Sequence, residues 1–185
     1  MYLILNTGRA GSTWFRGVLS QSGYAINHES LGEQGGCGSP MIDFVADNQD
    51  ATVLHMWRDP LSAVNAFTAF NPNRWNVARA SLWLQDRGVK LTGNSLGTFM
   101  RYWYEYNSRA YAMAVYSWPL HRVNNKRIRE RIQGYFSNPI KWDAKIDRAH
   151  KDHVSNYTRA DLFAEDHALA DEMFAMVVEM ERSAR

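Results

Sequence analysis

The chain has 185 residues, 45% of them hydrophobic and 22% charged, the balance of a globular protein that builds a core without disulfides or metals. Lys plus Arg number 21 against 19 acids, a net charge of +2, which excludes a polybasic protein but leaves room for a local anion site. The single cysteine, Cys37, excludes an intramolecular disulfide framework and a multi-cysteine zinc site, and no apolar run approaches the ~20 residues of a membrane span.

The run from Met1 to Gly8 is too short and uncharged for a signal peptide. A reducing, cytoplasmic setting and one domain over residues 1–185 are therefore expected. Tyr2 to Asn6 is a short β-prone apolar run, read as a buried strand. Gly8 to Gly11 form a turn. Phe15, Val18, Leu19 and Ser22 then fall at helical spacing, so a helix starts near Ser12 or Thr13 and Gly23 ends it. Tyr24 to Asn27 reads as a second strand. Residues 32–38 carry four glycines and read as loop. Met41 to Ala46 reads as a short helix and Thr52 to Trp57 as a strand. Pro60 then suits the first turn of a helix reaching Phe70. Asn71-Pro72-Asn73 breaks it, and residues 74–87 are helical in pattern. Leu96, Phe99, Met100, Trp103, Asn107, Ala110 and Ala114 line one face of a long helix. Trp118 to Val123 reads as a further strand, and Leu169, Met173, Val177 and Met180 mark a C-terminal helix. Strands alternating with helices predict an α/β fold, a mostly parallel central sheet covered by helices on both faces in three layers.

The strongest motif is Asn6-Thr7-Gly8-Arg9-Ala10-Gly11-Ser12-Thr13-Trp14, placed where a strand ends and a helix begins. Glycines there let backbone N–H groups turn inward around an anion. The helix N-terminus adds unpaired donors and partial positive charge. Arg9 supplies a full charge, and Ser12 and Thr13 supply hydroxyls. A phosphate or sulfate group is the expected ligand. The loop is not a Walker A loop, because no lysine precedes Ser12, so a magnesium-dependent ATPase is disfavoured. His55-Met56-Trp57-Arg58-Asp59-Pro60-Leu61-Ser62 repeats the logic, with an arginine at a strand's carboxyl end, where open α/β sheets bind ligands. Arg58 can reach a phosphate bidentately or pair with a carboxylate such as Asp59.

Together the two segments resemble the sulfotransferase family that uses 3′-phosphoadenosine-5′-phosphosulfate (PAPS), in the manner of a short bacterial-type member. Arg9-Ala10-Gly11-Ser12-Thr13-Trp14 looks like that family's 5′-phosphosulfate loop, and Arg58-Asp59-Pro60 like its 3′-phosphate segment. Tyr102-Trp103-Tyr104-Glu105-Tyr106-Asn107 and the stretch to Asn124 also resemble short members. The resemblance spans roughly residues 1–125 and implies a P-loop-like fold. It also implies an enzyme moving a sulfuryl group from PAPS to a hydroxyl acceptor, a glycan or small alcohol. Gly8, Arg9, Ala10, Gly11, Ser12, Thr13 and Arg58 would hold the nucleotide. Where the family places a 3′-phosphate serine, two turns beyond the arginine, this chain has Ala66. Ser62 or Asn65 would then substitute.

An acceptor hydroxyl must lose its proton, so a general base is expected near the sulfur. Glu29 and His28 are the candidates, at the end of the second strand, with Glu29 favoured because several related sulfotransferases place a glutamate there. Arg9 would stabilise charge on the transferred group. His55, inside an apolar strand, reads as a core histidine. His150 and His153 at i, i+3 lack a third ligand, and no metal is expected. Trp14, Trp57 and Trp103 read as core, whereas some of Trp75, Trp83, Tyr104 and Tyr106 could line an acceptor pocket. Two alternatives stand beside the enzyme: a non-catalytic phosphate-loop nucleotide binder, and a nucleic-acid module using Arg122, Lys126, Arg127, Arg129 and Arg131. Residues Arg122 to Lys151 hold nine basic and three acidic side chains, but that run carries no nucleic-acid motif, so nucleic acid is not the expected partner.

Overall fold

The computed structural model describes residues 1–7, 10–70, 75–91, 95–146 and 157–184. Five strands form one sheet: β1 (Tyr2–Leu5), β2 (Ile26–His28), β3 (Gly35–Gly38), β4 (Thr52–Trp57) and β5 (Tyr116–Pro119). Their spatial order is β2-β3-β1-β4-β5, and every pairing is parallel. Seven α-helices flank it among the described residues: α1 (Ser12–Gln21), α2 (Pro60–Phe70), α3 (Trp75–Gln85), α4 (Ser95–Met113), α5 (Lys126–Gln133), α6 (Arg159–Glu165) and α7 (His167–Ser183). This is the expected three-layer α/β architecture. No helix among the described residues is long and apolar enough to cross a membrane.

Alternation along the strands builds the two outer layers. Successive side chains of a strand point to opposite faces. Leu3, Leu5, Val53 and Trp57 pack with α2, α3, α4, α6 and α7 on one face. Ile4, Leu54, Met56, Tyr116 and Trp118 pack with α1 and α5 on the other. Both faces are buried, so β1 and β4 are continuous apolar runs rather than alternating ones.

Several expected boundaries shift. The second strand is Ile26–His28 rather than Tyr24 to Asn27. The short helix after it is a 3-10 turn, Ser39–Phe44. The strand expected at Trp118 to Val123 starts earlier, at Tyr116, and Pro119 ends it; Leu120–Arg122 is a 3-10 turn. The α5 and α6 helices were not foreseen.

The largest correction is β3. Residues 35–38, expected as loop, form an inner strand between β2 and β1, with all four residues buried. Glycine is poor in strands on propensity alone, so packing decides here. A Cβ at Gly35 would lie 1.8 Å from the Tyr2 carbonyl oxygen, and one at Gly36 would lie 2.0 Å from Met41 Sδ. Gly35 also has φ +130°, open only to glycine. Parallel neighbours ordinarily need a crossover of a dozen residues or more. Here residues 29–34 suffice, because the return leg runs back beside β2. Gln34 N–H donates to the Ala25 carbonyl at 3.1 Å, and Asn27 Nδ2 donates to the Leu31 carbonyl at 3.1 Å.

The strand order also fixes where a ligand fits. From β1 the chain passes over β3 to the far edge at β2, whereas from β4 it moves outward to β5. Connections that diverge from neighbouring strands open a crevice at their carboxyl ends. That crevice lies between the ends of β1 and β4, and both motif segments begin there.

Candidate functional site

Asn6 and Thr7 follow β1, both fully buried. Ala10 N–H donates to the Thr7 carbonyl at 3.2 Å. Gly8 and Arg9 lie outside the described residues, so the loop's cation is not located. Gly11 is the residue before α1, at φ +88°, and no side chain caps the helix there. The first turn of α1 carries no acidic residue. Its first N–H groups and its positive end are therefore left for an outside acceptor, the arrangement that suits an anion. Behind the turn, Leu120 fills the space a side chain at Gly11 would need, its Cδ2 2.8 Å from an ideal Cβ position.

Polar atoms underlie the loop. Asn6 Oδ1 and Thr7 Oγ1 are buried and find no partner among the described residues. An orphaned buried acceptor or hydroxyl costs about 1–3 kcal/mol, so these two atoms suit a ligand or ordered water at the loop. Asn6 Nδ2 meets Cys37 Sγ at 3.8 Å, and that thiol donates to the Ser12 carbonyl at 3.6 Å. Burial pushes the Cys37 thiol up to about 12, so it stays neutral and braces β3 against α1.

His28 and Glu29 stand at the end of β2 and part company. His28 Nε2 lies 2.9 Å from Ser12 Oγ and 3.4 Å from Thr13 Oγ1. The ring thus ties the two loop hydroxyls to the sheet. Burial lowers its pKa; the Glu29 charge opposes that, while Arg16 and Arg79 add to it. The neutral ring is favoured at pH 7. Glu29 faces α3 instead: its Oε2 lies 3.4 Å from Arg79 Nη1, an ion pair open to solvent on both sides. Glu29 has φ +57°, unique among the described non-glycine residues.

The second segment is positioned by α2 and α4. Asp59 caps α2: its Oδ1 accepts from Ser62 N–H at 2.9 Å, and its carbonyl accepts from Ala63 N–H. Pro60 occupies the first helical position, where its missing N–H costs nothing. Trp103, buried on α4 as expected, donates its indole N–H to the Arg58 carbonyl at 3.0 Å. Arg58 and Ser62 are both half-buried here. Asn65 has another role on the same helix. Its Nδ2 donates to the Tyr157 carbonyl at 2.9 Å, and its Oδ1 accepts from Tyr157 N–H at 3.1 Å.

His55 is the core histidine the sequence suggests. It is fully buried, with Nε2 2.9 Å from Asn107 Oδ1 and Nδ1 2.9 Å from Ser117 Oγ. The aromatic set around Trp83, Tyr102, Tyr106, Phe67 and Phe99 stacks between α2, α3 and α4. Trp75 sits at the start of α3. His150 and His153 lie outside the described residues. Among the described ones no three His, Cys, Asp or Glu side chains gather as metal ligands.

Three side chains of the basic run meet carboxylates. Arg122 bridges to Glu181 at 3.0 Å, Lys126 approaches Glu130 at 3.8 Å, and Arg129 approaches Asp143 at 3.9 Å. Arg131 lies over the Tyr116 ring. Sequence reasoning missed Arg79 and the Cys37 contacts. Arg79 meets Glu29 across a separation of 50 residues, and nothing local to α3 marks it. Comparison of the chain with protein-family models, with curated proteins and with solved structures found no match.

Proposed function

We propose that the chain is a sulfotransferase that binds PAPS across the carboxyl ends of β1 and β4. One observation carries the reading. The uncapped N-terminus of α1, with Gly11 before it, and the Arg58 segment follow neighbouring strands at the sheet's switch point. Two anion sites at the ends of adjacent strands suit a nucleotide with phosphates at both ends. The orphaned Asn6 and Thr7 atoms and the absence of acid in the first turn of α1 fit such a ligand.

Ser12, Thr13 and the N–H groups of residues 11–13 would hold the 5′ side, with Arg9 adding charge; the Ala10 N–H is engaged by the Thr7 carbonyl. Arg58 and Ser62 would hold the 3′-phosphate in the place Ala66 leaves empty. The amide of Asn65 is engaged by Tyr157, which favours Ser62 over Asn65. When bound, the donor supplies a sulfuryl group that passes to a hydroxyl oxygen, leaving adenosine 3′,5′-bisphosphate. Glu29 would take the acceptor proton. His28, bonded to both loop hydroxyls, would orient them rather than act as base. The strained Glu29 backbone favours this enzyme over a binding-only protein, because backbone strain gathers where chemistry needs a side chain. A glycan or small alcohol is the acceptor class proposed.

Calorimetric titration with adenosine 3′,5′-bisphosphate, with ADP as the comparison, tests this. Binding at least about tenfold tighter than ADP, equivalent to about 1.4 kcal/mol, is expected. Arg58→Ala should remove that preference while leaving ADP affinity nearly unchanged. Equal affinity for the two nucleotides in the wild-type chain would refute the 3′-phosphate site.

A further inference from the structure

We propose that Arg79 is a positioning residue that presents Glu29 to the acceptor hydroxyl; the inference rests on the sulfotransferase reading. Three separate features converge on one carboxylate. The backbone at Glu29 takes φ +57°, a left-handed conformation that costs an L-residue about 1–2 kcal/mol. Its N–H donates to the Cys37 carbonyl at 3.0 Å, which pins the bend to the inner strand β3. Gly38 on that strand passes so close that an added Cβ would lie 3.1 Å from Glu29 Cγ and 3.2 Å from its Cα. The side chain thus starts against Gly38 at the end of β3, and Arg79 Nη1 from α3 meets its carboxylate at 3.4 Å.

An exposed ion pair contributes little to folding, so stability does not account for the arrangement. Chemistry does. A carboxylate acting as base beside a polyanionic donor is repelled by it. A guanidinium 3.4 Å away offsets that repulsion and fixes which oxygen faces the acceptor. The Tyr102 hydroxyl belongs to the same neighbourhood. Burial pushes that phenol up to about 12, a hydrogen bond from Ser39 lowers it, and the Arg79 and Glu29 charges act on it in opposite senses. In the step itself, the acceptor O–H bond gives its electron pair to the new oxygen–sulfur bond. The proton passes to Glu29, and the bond from sulfur to the 5′-phosphate oxygen breaks. Arg79 touches none of these atoms and acts through Glu29.

The experiment follows release of adenosine 3′,5′-bisphosphate from PAPS with a monosaccharide or ethanol as acceptor, beside calorimetric binding of the bisphosphate. Arg79→Ala should lower kcat about tenfold or more, with KM for PAPS and bisphosphate affinity within about twofold of wild type. Arg79→Lys should recover kcat to within about threefold. In a Glu29→Gln background, Arg79→Ala should have no further effect, because residues acting as a unit are not additive. An additive loss in that background, or unchanged kcat in Arg79→Ala, would overturn the proposal. So would a wild-type chain that binds the bisphosphate but releases none from PAPS with either acceptor. A wild-type chain with no preference for the bisphosphate would instead overturn the underlying reading.

Discussion

At the scale of single residues, burial sets the protonation of His55. Enclosed between Asn107 and Ser117, its ring is held at about 4 against an ordinary value of 6.5, with burial the main cause and the Asn107 bond opposing it. The sign follows from linkage. The unfolded chain takes a proton below pH 6.5 while the folded chain refuses it until about pH 4. Stability is therefore intact above pH 6.5 and falls as pH drops toward 4, by about 3 kcal/mol in all. Urea denaturation from pH 7.5 to 4.5 should show this slope, and His55→Gln should flatten it. At this scale much of the site was legible. Ser12, Thr13 and Arg58 stand out because a glycine-rich strand-to-helix segment and a strand-end arginine are each contiguous in sequence, whereas Glu29 is favoured over His28 only through the family resemblance. Arg79 was invisible, since an ion pair between distant segments leaves no local pattern. The different orientations of His28 and Glu29 were half-legible: strand alternation separates them, but only the fold shows that one turns to α1 and the other to α3.

Among the elements, β3 departs furthest from expectation. Its residues are Gly35, Gly36, Cys37 and Gly38, and no propensity scale makes them a strand. They serve because the sheet there needs backbone without side chains: Tyr2 approaches from β1 and Met41 from the turn that follows. Gly36→Ala places a methyl group against Met41 Sδ and the Ser30 carbonyl, an overpacking expected to cost about 1–3 kcal/mol. Gly35→Ala meets backbone at φ +130° and should cost more, about 4 kcal/mol. Urea midpoints of the two variants check both the magnitudes and their order. By contrast β1, β4, α2, α4 and α7 were legible, because continuous apolar runs and helical stripes survive any tertiary context. The α5 helix escaped because six of its eight residues are polar or charged, leaving Ile128 and Ile132 as its only apolar anchors.

For the whole molecule, the described candidate groups Ser12, Thr13, His28, Glu29 and Arg58 follow the carboxyl ends of the strands, while the two apolar cores fill the opposite faces of the sheet. A nucleotide spanning β1 and β4 would link the two strands from which the chain's connections diverge. It would bind the folded state alone. At 100 times its dissociation constant such a ligand adds about 2.7 kcal/mol, which in a chain of this size raises Tm by about 5–10 °C. Thermal denaturation with adenosine 3′,5′-bisphosphate should show that rise, and ADP at the same concentration a smaller one. The gain should persist at moderate salt if the anion is held by buried N–H groups and hydroxyls, since screening acts mainly on exposed charges.

The left-handed backbone at Glu29 sets two kinds of selection against each other. Glycine fits that conformation without strain, and the ion pair lost with the carboxylate is too exposed to hold the residue in place. Any search of sequence space scored on stability alone would replace Glu29 early and count the change as an improvement. If Glu29 takes the acceptor proton as proposed, redesign for robustness should keep this position fixed, a place where a locally poorer fold serves the chemistry.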